Sequence, residues 1–127
     1  MPIEWDVDDS MISLRMTGEY EVRDIKSAFL TALDDARAVS VKGLLFDVSG
    51  SESLKERYAT DVIDVGNFLA SHHNRFNNRI ALVAATDFGY GMMRLGSAAL
   101  QTHGVVNRVF RDAAEARVWL TEGKDEE

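Results

Sequence analysis

Two short segments near the start of the chain alternate between apolar and polar side chains. The apolar positions are Ile3, Trp5 and Val7 in the first segment, and Ile12, Leu14 and Met16 in the second. A period of two is typical of a β-strand with one buried face. The turn-forming residues 8–10 between the segments therefore predict a β-hairpin.

The spacing of apolar residues changes to a helical one after the hairpin. From Val22 onward, apolar side chains recur at intervals of three and four, which predicts a first helix over residues 22–36. Two later runs, residues 41–48 and 80–85, are almost continuously apolar. Runs of this length predict central strands covered on both faces.

Turn and capping signals divide the remaining chain into helices and strands. Ser53 and Glu56 match a capping box, so we predict a second helix that starts at Ser53 and ends before the polar stretch at residues 72–78. Its buried face would carry Tyr58, Val62, Val65 and Leu69.

The last third of the chain predicts three more elements. We interpret residues 86–91, which follow the strand over 80–85, as a loop. Asp87 in this loop is predicted to be the cap of a third helix. This helix covers residues 92–102 and stops at Gly104. A last strand over 106–110 leads to a helix that starts at the box formed by Asp112 and Glu115. Its predicted buried residues are Ala116, Trp119 and Leu120.

The predicted order of elements is β-β-α-β-α-β-α-β-α. Strands that alternate with helices favour an α/β fold with a mixed, mostly parallel sheet of about five strands and right-handed crossovers. We expect the four helices to cover both faces of this sheet. The chain of 127 residues suits one domain, which we assign to residues 1–122, followed by a frayed charged tail over 123–127.

Composition narrows the classes of function. The net charge of −7 disfavours nucleic acid and anionic membrane surfaces as partners. The chain has no cysteine, which excludes disulfides, thiolate metal sites and cysteine nucleophiles. The first residues lack the pattern of a signal peptide, and no apolar run is long enough for a membrane span. We therefore expect a cytoplasmic protein.

The strongest resemblance to a known family lies in the C-terminal third. The strand Ile80-Ala81-Leu82-Val83 is followed by the segment DFGYGM at 87–92, then by Arg94, and finally by VFRDAAEARVWL at 109–120. In these segments and in its order of elements, the chain resembles the STAS domain superfamily, and within it the bacterial SpoIIAA-like (STAS/SEC14-like) proteins. This resemblance implies a non-catalytic regulatory domain that binds a protein partner or its own copy. The SEC14-like relationship implies an alternative, a small-molecule or lipid pocket near the third helix.

Phospho-regulated members of the wider family carry a serine after the central strand. The matching loop of this chain, residues 49–53, contains Ser49, Ser51 and Ser53 but lacks the Asp-Ser-Ser-Gly run of those members. A phosphate on Ser51 or Ser53 would be favoured by the dipole of the following helix. Because the Asp-Ser-Ser-Gly sequence is missing, we do not expect phosphorylation of these serines to be the main regulatory switch of the protein.

Other candidate motifs have simpler structural interpretations. Gly89-Tyr90-Gly91 lies between a strand and a helix, as a dinucleotide fingerprint would, but the third glycine, Gly96, comes too late for G-x-G-x-x-G. The histidines 72, 73 and 103 have no further ligands at metal-binding spacing, so we expect them to be solvated. Asp47 and Asp87 could share acid–base chemistry, but no nucleophile accompanies them. We expect no cofactor and no metal, and enzyme activity remains the third alternative.

Two predicted loops leave the carboxyl ends of parallel strands, where α/β sheets bind ligands. They are residues 49–53 and 86–91, and both lead into helix N-termini with unpaired N–H groups. We therefore predict a site for a partner or for a small apolar or anionic ligand, formed by Ser49, Ser51, Ser53, Asp87, Phe88 and Tyr90. The third helix is rich in methionine and small residues, which favours either core packing or a groove. The second possibility predicts a weak homodimer.

Overall fold

A computed structural model describes residues 3–7, 11–18, 20–36, 41–51 and 59–122. Within them, the strands are β1 (Ile3–Val7), β2 (Met11–Gly18), β3 (Gly43–Ser51), β4 (Arg79–Val83) and β5 (Val106–Phe110). The α-helices are α1 (Val22–Asp35), α2 (Ala59–Ala70), α3 (Asp87–Thr102) and α4 (Ala113–Glu122), and a short 3-10 helix covers His73–Phe76. The predicted α/β fold and order of elements are confirmed.

The strands lie side by side in the order of the chain, β1-β2-β3-β4-β5. β1 and β2 form the predicted antiparallel hairpin, and every later pair is parallel. Because right-handed crossovers that advance in one direction stay on one side of the sheet, α1, α2 and α3 share a face and α4 covers the other. The strand order never reverses, so these elements form no switch-point crevice.

The two faces of β3 explain its continuous apolar sequence. Leu44, Phe46 and Val48 belong to the large core beneath α1, α2 and α3, whereas Leu45 belongs to a smaller core beneath α4. Trp119 of α4 completes the smaller core, as predicted. Burial on both faces therefore removes the alternation that the sequences of β1 and β2 show. In β1 itself the predicted buried face is only partly buried, since Ile3 is buried but Trp5 is 37% exposed.

Three predicted boundaries are wrong. Ser49 and Ser51 belong to β3 rather than to a loop, because Gly50 and Ser51 continue the parallel pairing with the end of β2. β4 spans 79–83 and is shorter than the predicted strand over 80–85. α3 starts at Asp87 rather than at residue 92, so the predicted loop over 86–91 is mostly helix. The predicted helix start at Ser53 and the buried position of Tyr58 lie outside the described residues.

Capping explains where α3 and α4 begin and end. The Thr86 hydroxyl accepts a hydrogen bond from the Gly89 N–H at 2.9 Å, so Thr86 rather than Asp87 is the N-cap of α3. Gly104 follows the helix with a φ of +78°, which confirms it as the predicted stop. Asp112 accepts from the Ala114 N–H at 3.3 Å, as the predicted start of α4 requires.

The small residues of α3 allow close packing against α2. A Cβ atom at Gly66 of α2 would lie 3.1 Å from the Ala99 Cβ and 3.2 Å from the Gly96 carbonyl oxygen of α3. Met93, Gly96 and Leu100 are buried. Of the two possibilities raised by the sequence of this helix, core packing accounts for these residues.

Candidate functional site

The predicted serine positions lie on β3. Ser49 is exposed, and both its N–H and its hydroxyl donate hydrogen bonds to Asp47 Oδ1, the first over 2.9 Å. Ser51 is the last residue of the strand, and Ser53 lies outside the described residues. Both hydrogen bonds that Ser49 donates to Asp47 therefore stay within β3.

The other predicted residues meet at the start of α3. Arg111 follows β5 directly, and its Nη1 donates to Asp87 Oδ1 over 2.8 Å. The same guanidinium lies over the Tyr90 ring, with 4.4 Å between the guanidinium carbon and the ring centroid. Phe88 lies between Asp87 and Tyr90 in sequence and is 50% exposed. Asp87, Phe88, Tyr90 and Arg111 together form what we call the α3 edge surface.

The six predicted residues therefore do not form a single cluster. Asp87 and Tyr90 are joined through Arg111 beyond β5, whereas Ser49 bonds within β3, and β4 lies between these two strands. Arg111 was not among the site residues predicted from the sequence. Its position one residue after a parallel strand could have identified it. The carboxyl ends of parallel strands lie at the same edge of a sheet, so Arg111 and Asp87 are expected at one edge.

Local charge at the α3 edge surface differs from that of the chain as a whole. Arg94 lies one helical turn after Tyr90, is exposed and has no ion-pair partner among the described residues. Arg111 is half-exposed although Asp87 neutralises it. In a chain with 21 acidic and 14 basic residues, this edge therefore offers cationic side chains beside aromatic ones.

An apolar cavity lies beneath α1, α2 and α3, where the alternative of a pocket near the third helix would place it. Its lining includes Val62 and Val65 of α2 and Met93 of α3. The cavity has a volume of about 40 Å³. Pockets for lipids and drug-sized molecules are roughly 300–1,000 Å³, so this cavity is too small for such a ligand in the conformation described.

The remaining candidate groups are dispersed. His72 is half-buried, with its ring centroid 5.1 Å from that of Phe68, so it is solvated only in part. His103 Nε2 lies 3.0 Å from Asn67 Oδ1. Within the described residues, no three His, Cys, Asp or Glu side chains are grouped as metal ligands would be. Asp47 and Asp87 lie in different hydrogen-bonded groups, so the carboxylate pair considered from the sequence is not assembled.

Comparisons of the chain with protein-family models, with curated proteins and with solved structures found no match. The resemblance to SpoIIAA-like STAS proteins therefore stays a prediction. None of the helices in the described ranges is both long enough and apolar enough to cross a membrane.

Proposed function

We propose that this chain is a non-catalytic regulatory domain of the cytoplasm that binds a protein partner through the α3 edge surface. One observation carries the proposal: Arg111 is held between Asp87 and Tyr90 in the first turn of α3, where Phe88, the residue after Asp87, is 50% exposed. The resemblance to SpoIIAA-like proteins points to the same class of function.

The composition of this surface matches that of binding hot spots. Tyrosine and arginine are enriched at the centres of protein interfaces, where a few side chains supply most of the binding free energy. Because the stack on Tyr90 and the ion pair with Asp87 already restrict Arg111, less side-chain entropy is lost on binding. Arg94, which has no ion-pair partner in the described ranges, adds a positive charge one turn away. We therefore propose a partner segment that presents an apolar side chain beside a carboxylate.

The competing functions have weaker support. The 40 Å³ apolar cavity is too small for a lipid, and the Ser49 hydroxyl, although it donates to Asp47, has no histidine beside it among the described residues. Ser51 and Ser53 lie outside the α3 edge surface as we define it, and the proposal does not require their phosphorylation.

The decisive experiment compares variants of the surface in partner binding. Tagged wild-type protein, Phe88→Ala, Arg111→Ala and the control Leu30→Ala would be used to capture proteins from an extract of the source organism, and the captured partner would then be purified and titrated by calorimetry. Leu30 is also an exposed apolar residue, but it lies on α1. We expect Phe88→Ala and Arg111→Ala each to raise Kd at least tenfold, as hot-spot substitutions do, and Leu30→Ala to leave it unchanged. Equal affinity for all four proteins, or no partner, would overturn the proposal.

A second copy of the chain is the alternative partner. Sedimentation of wild type and Phe88→Ser over a range of concentrations distinguishes the two cases. A weak dimer that becomes monomeric in Phe88→Ser identifies self-association at the α3 edge surface, whereas a monomer at every concentration leaves the heterologous partner as the proposed occupant.

A further inference from the structure

A polar cleft lies on the opposite face of the sheet, beside α4. Its volume is about 450 Å³, within the usual size of small-molecule sites of roughly 300–1,000 Å³. Strands β1, β2 and β3 form its base, and Ala113 and Arg117 of α4 line one side. α4 packs mainly on β3 and β4, so no described helix covers most of β1 and β2 on this face.

The register of the strands arranges the side chains of the cleft in two rows. In one row, Glu4 of β1 pairs with Arg15 of β2, which pairs with Asp47 of β3. In the next row, Asp6 pairs with Ser13. Alternate residues of a strand face the same side, so these five side chains share the face that α4 leaves open.

Two buried polar groups in the base of the cleft have free hydrogen-bonding capacity. Asp47 is 7% exposed, and Ser49 donates both of its bonds to Oδ1 alone. The described residues supply no donor to Asp47 Oδ2 and no partner to the hydroxyl of Ser13, which is 8% exposed. Both residues line the cleft. Buried polar groups normally have partners, and a ligand would supply them here.

The charges of the cleft indicate what that ligand carries. Arg15 donates to Glu4, which neutralises both side chains and lowers the pKa of the Glu4 carboxyl. Arg15 also interacts electrostatically with Asp47, but the carboxylates Glu4, Asp6 and Asp47 outnumber this arginine on the strands of the cleft. Arg117 Nη1 lies 3.6 Å from the sulfur of Met11, and among the described residues Arg117 has no carboxylate partner. The described residues of the cleft thus carry an excess of negative charge on the strands and one arginine without a carboxylate partner on α4.

We propose that this cleft binds a small zwitterionic amino compound, whose ammonium group donates to Asp47 and Ser13 and whose carboxylate accepts from Arg117. Each end of such a ligand would form a charge-assisted hydrogen bond, the stronger class of hydrogen bond in proteins. The site lies on the other face of the sheet from α3, so it is independent of the proposed partner surface.

The test is a titration followed in two-dimensional amide NMR spectra, with a graded set of probes. The zwitterions are glycine, β-alanine, aminobutyrate and aminohexanoate, and the single-charge controls are butylamine and butyrate. We expect at least one zwitterion to bind with a Kd on the order of a millimolar or lower, and both single-charge controls to bind at least tenfold more weakly. The shifted amides should belong to β2, β3 and the first turns of α4.

Matched variants locate the two charges. Asp47→Asn keeps an acceptor for Ser49 but replaces the free carboxylate oxygen with an amide, and Arg117→Gln removes the guanidinium. Each is expected to raise Kd about tenfold, whereas Asp64→Asn on α2 and Arg94→Gln on α3 should leave it unchanged. Ser13→Ala provides a third variant if Asp47→Asn fails to fold. Absence of binding by every zwitterion, equal binding of butylamine, or unchanged affinity in Asp47→Asn and Arg117→Gln would each overturn the proposal. None of these outcomes would affect the test of the α3 edge surface.

Discussion

Arg111 lies over the Tyr90 ring, with its guanidinium carbon 4.4 Å from the ring centroid. The same side chain forms an ion pair with Asp87, so one arginine connects the end of β5 with the first turn of α3. Asp87 is also favourably placed with respect to the positive end of the helix dipole. The contact between β5 and α3 is therefore made by side chains, Arg111, Asp87 and Tyr90, that remain accessible to a partner.

The Asp87–Arg111 ion pair is expected to contribute little to stability by itself. The Asp87 side chain is 96% exposed, and exposed pairs typically contribute up to about 1 kcal/mol. A double-mutant cycle of Asp87→Asn and Arg111→Gln, measured by urea denaturation, should give a coupling free energy of about 0.5 kcal/mol that decreases with added salt. A coupling several times larger and independent of salt would show that the pair is a structural element instead.

Thr86 should stabilise the start of α3 through its hydroxyl. Thr86→Ala removes the acceptor for the Gly89 N–H and is expected to lower the free energy of unfolding by about 1 kcal/mol. Thr86→Ser keeps the hydroxyl and should retain most of this stability. Thr102→Ala, which removes a hydroxyl at the other end of the same helix, serves as the control. Equal losses in Thr86→Ala and Thr102→Ala would contradict the assignment of the cap.

Two glycines at the α2–α3 contact should respond in opposite directions to alanine. At Gly96, a new Cβ would lie 3.5 Å from Val62 Cγ1, an ordinary contact, so the gain in helix propensity should stabilise the protein by about 1 kcal/mol. At Gly66, the new atom would press on Ala99 and on a backbone carbonyl. Gly66→Ala should therefore destabilise by about 1 kcal/mol despite the same gain in propensity. Urea midpoints of both variants test this, and a common sign would refute the packing described.

Stability in acid should depend on Glu4. Hydrogen bonding to Arg15, aided by its charge, holds the pKa of Glu4 below its ordinary value of 4.5. A carboxyl with a lowered pKa in the folded state contributes stability above its unfolded pKa and loses this contribution as the pH falls through its folded pKa. Wild type should therefore exceed Glu4→Gln in urea midpoint at neutral pH, and the difference should disappear in acid. Glu115→Gln, an exposed carboxylate on α4, is the control. A difference that is unchanged in acid would rule out this explanation.

The order and type of the elements were determined by the sequence alone. Periodicity of two predicted β1 and β2, helical spacing predicted α1, and unbroken apolar runs predicted the buried strands β3 and β4. Gly104 and Asp112 acted as the expected stop and start because capping depends on local backbone geometry. Such signals depend only on neighbouring residues, so they can be recognised in the sequence without knowledge of the rest of the fold.

The tertiary structure decided which residues meet. Residues 49–51 became strand because β2 extends far enough for Thr17 and Gly18 to pair with Gly50 and Ser51. The cleft brings Arg117 to Met11, which lies 106 positions away in the chain, and places Asp47 beside Arg15 through strand register. Local patterns determine which face of an element is buried. Only the packing of the sheet determines what covers that face, and which polar groups remain uncovered.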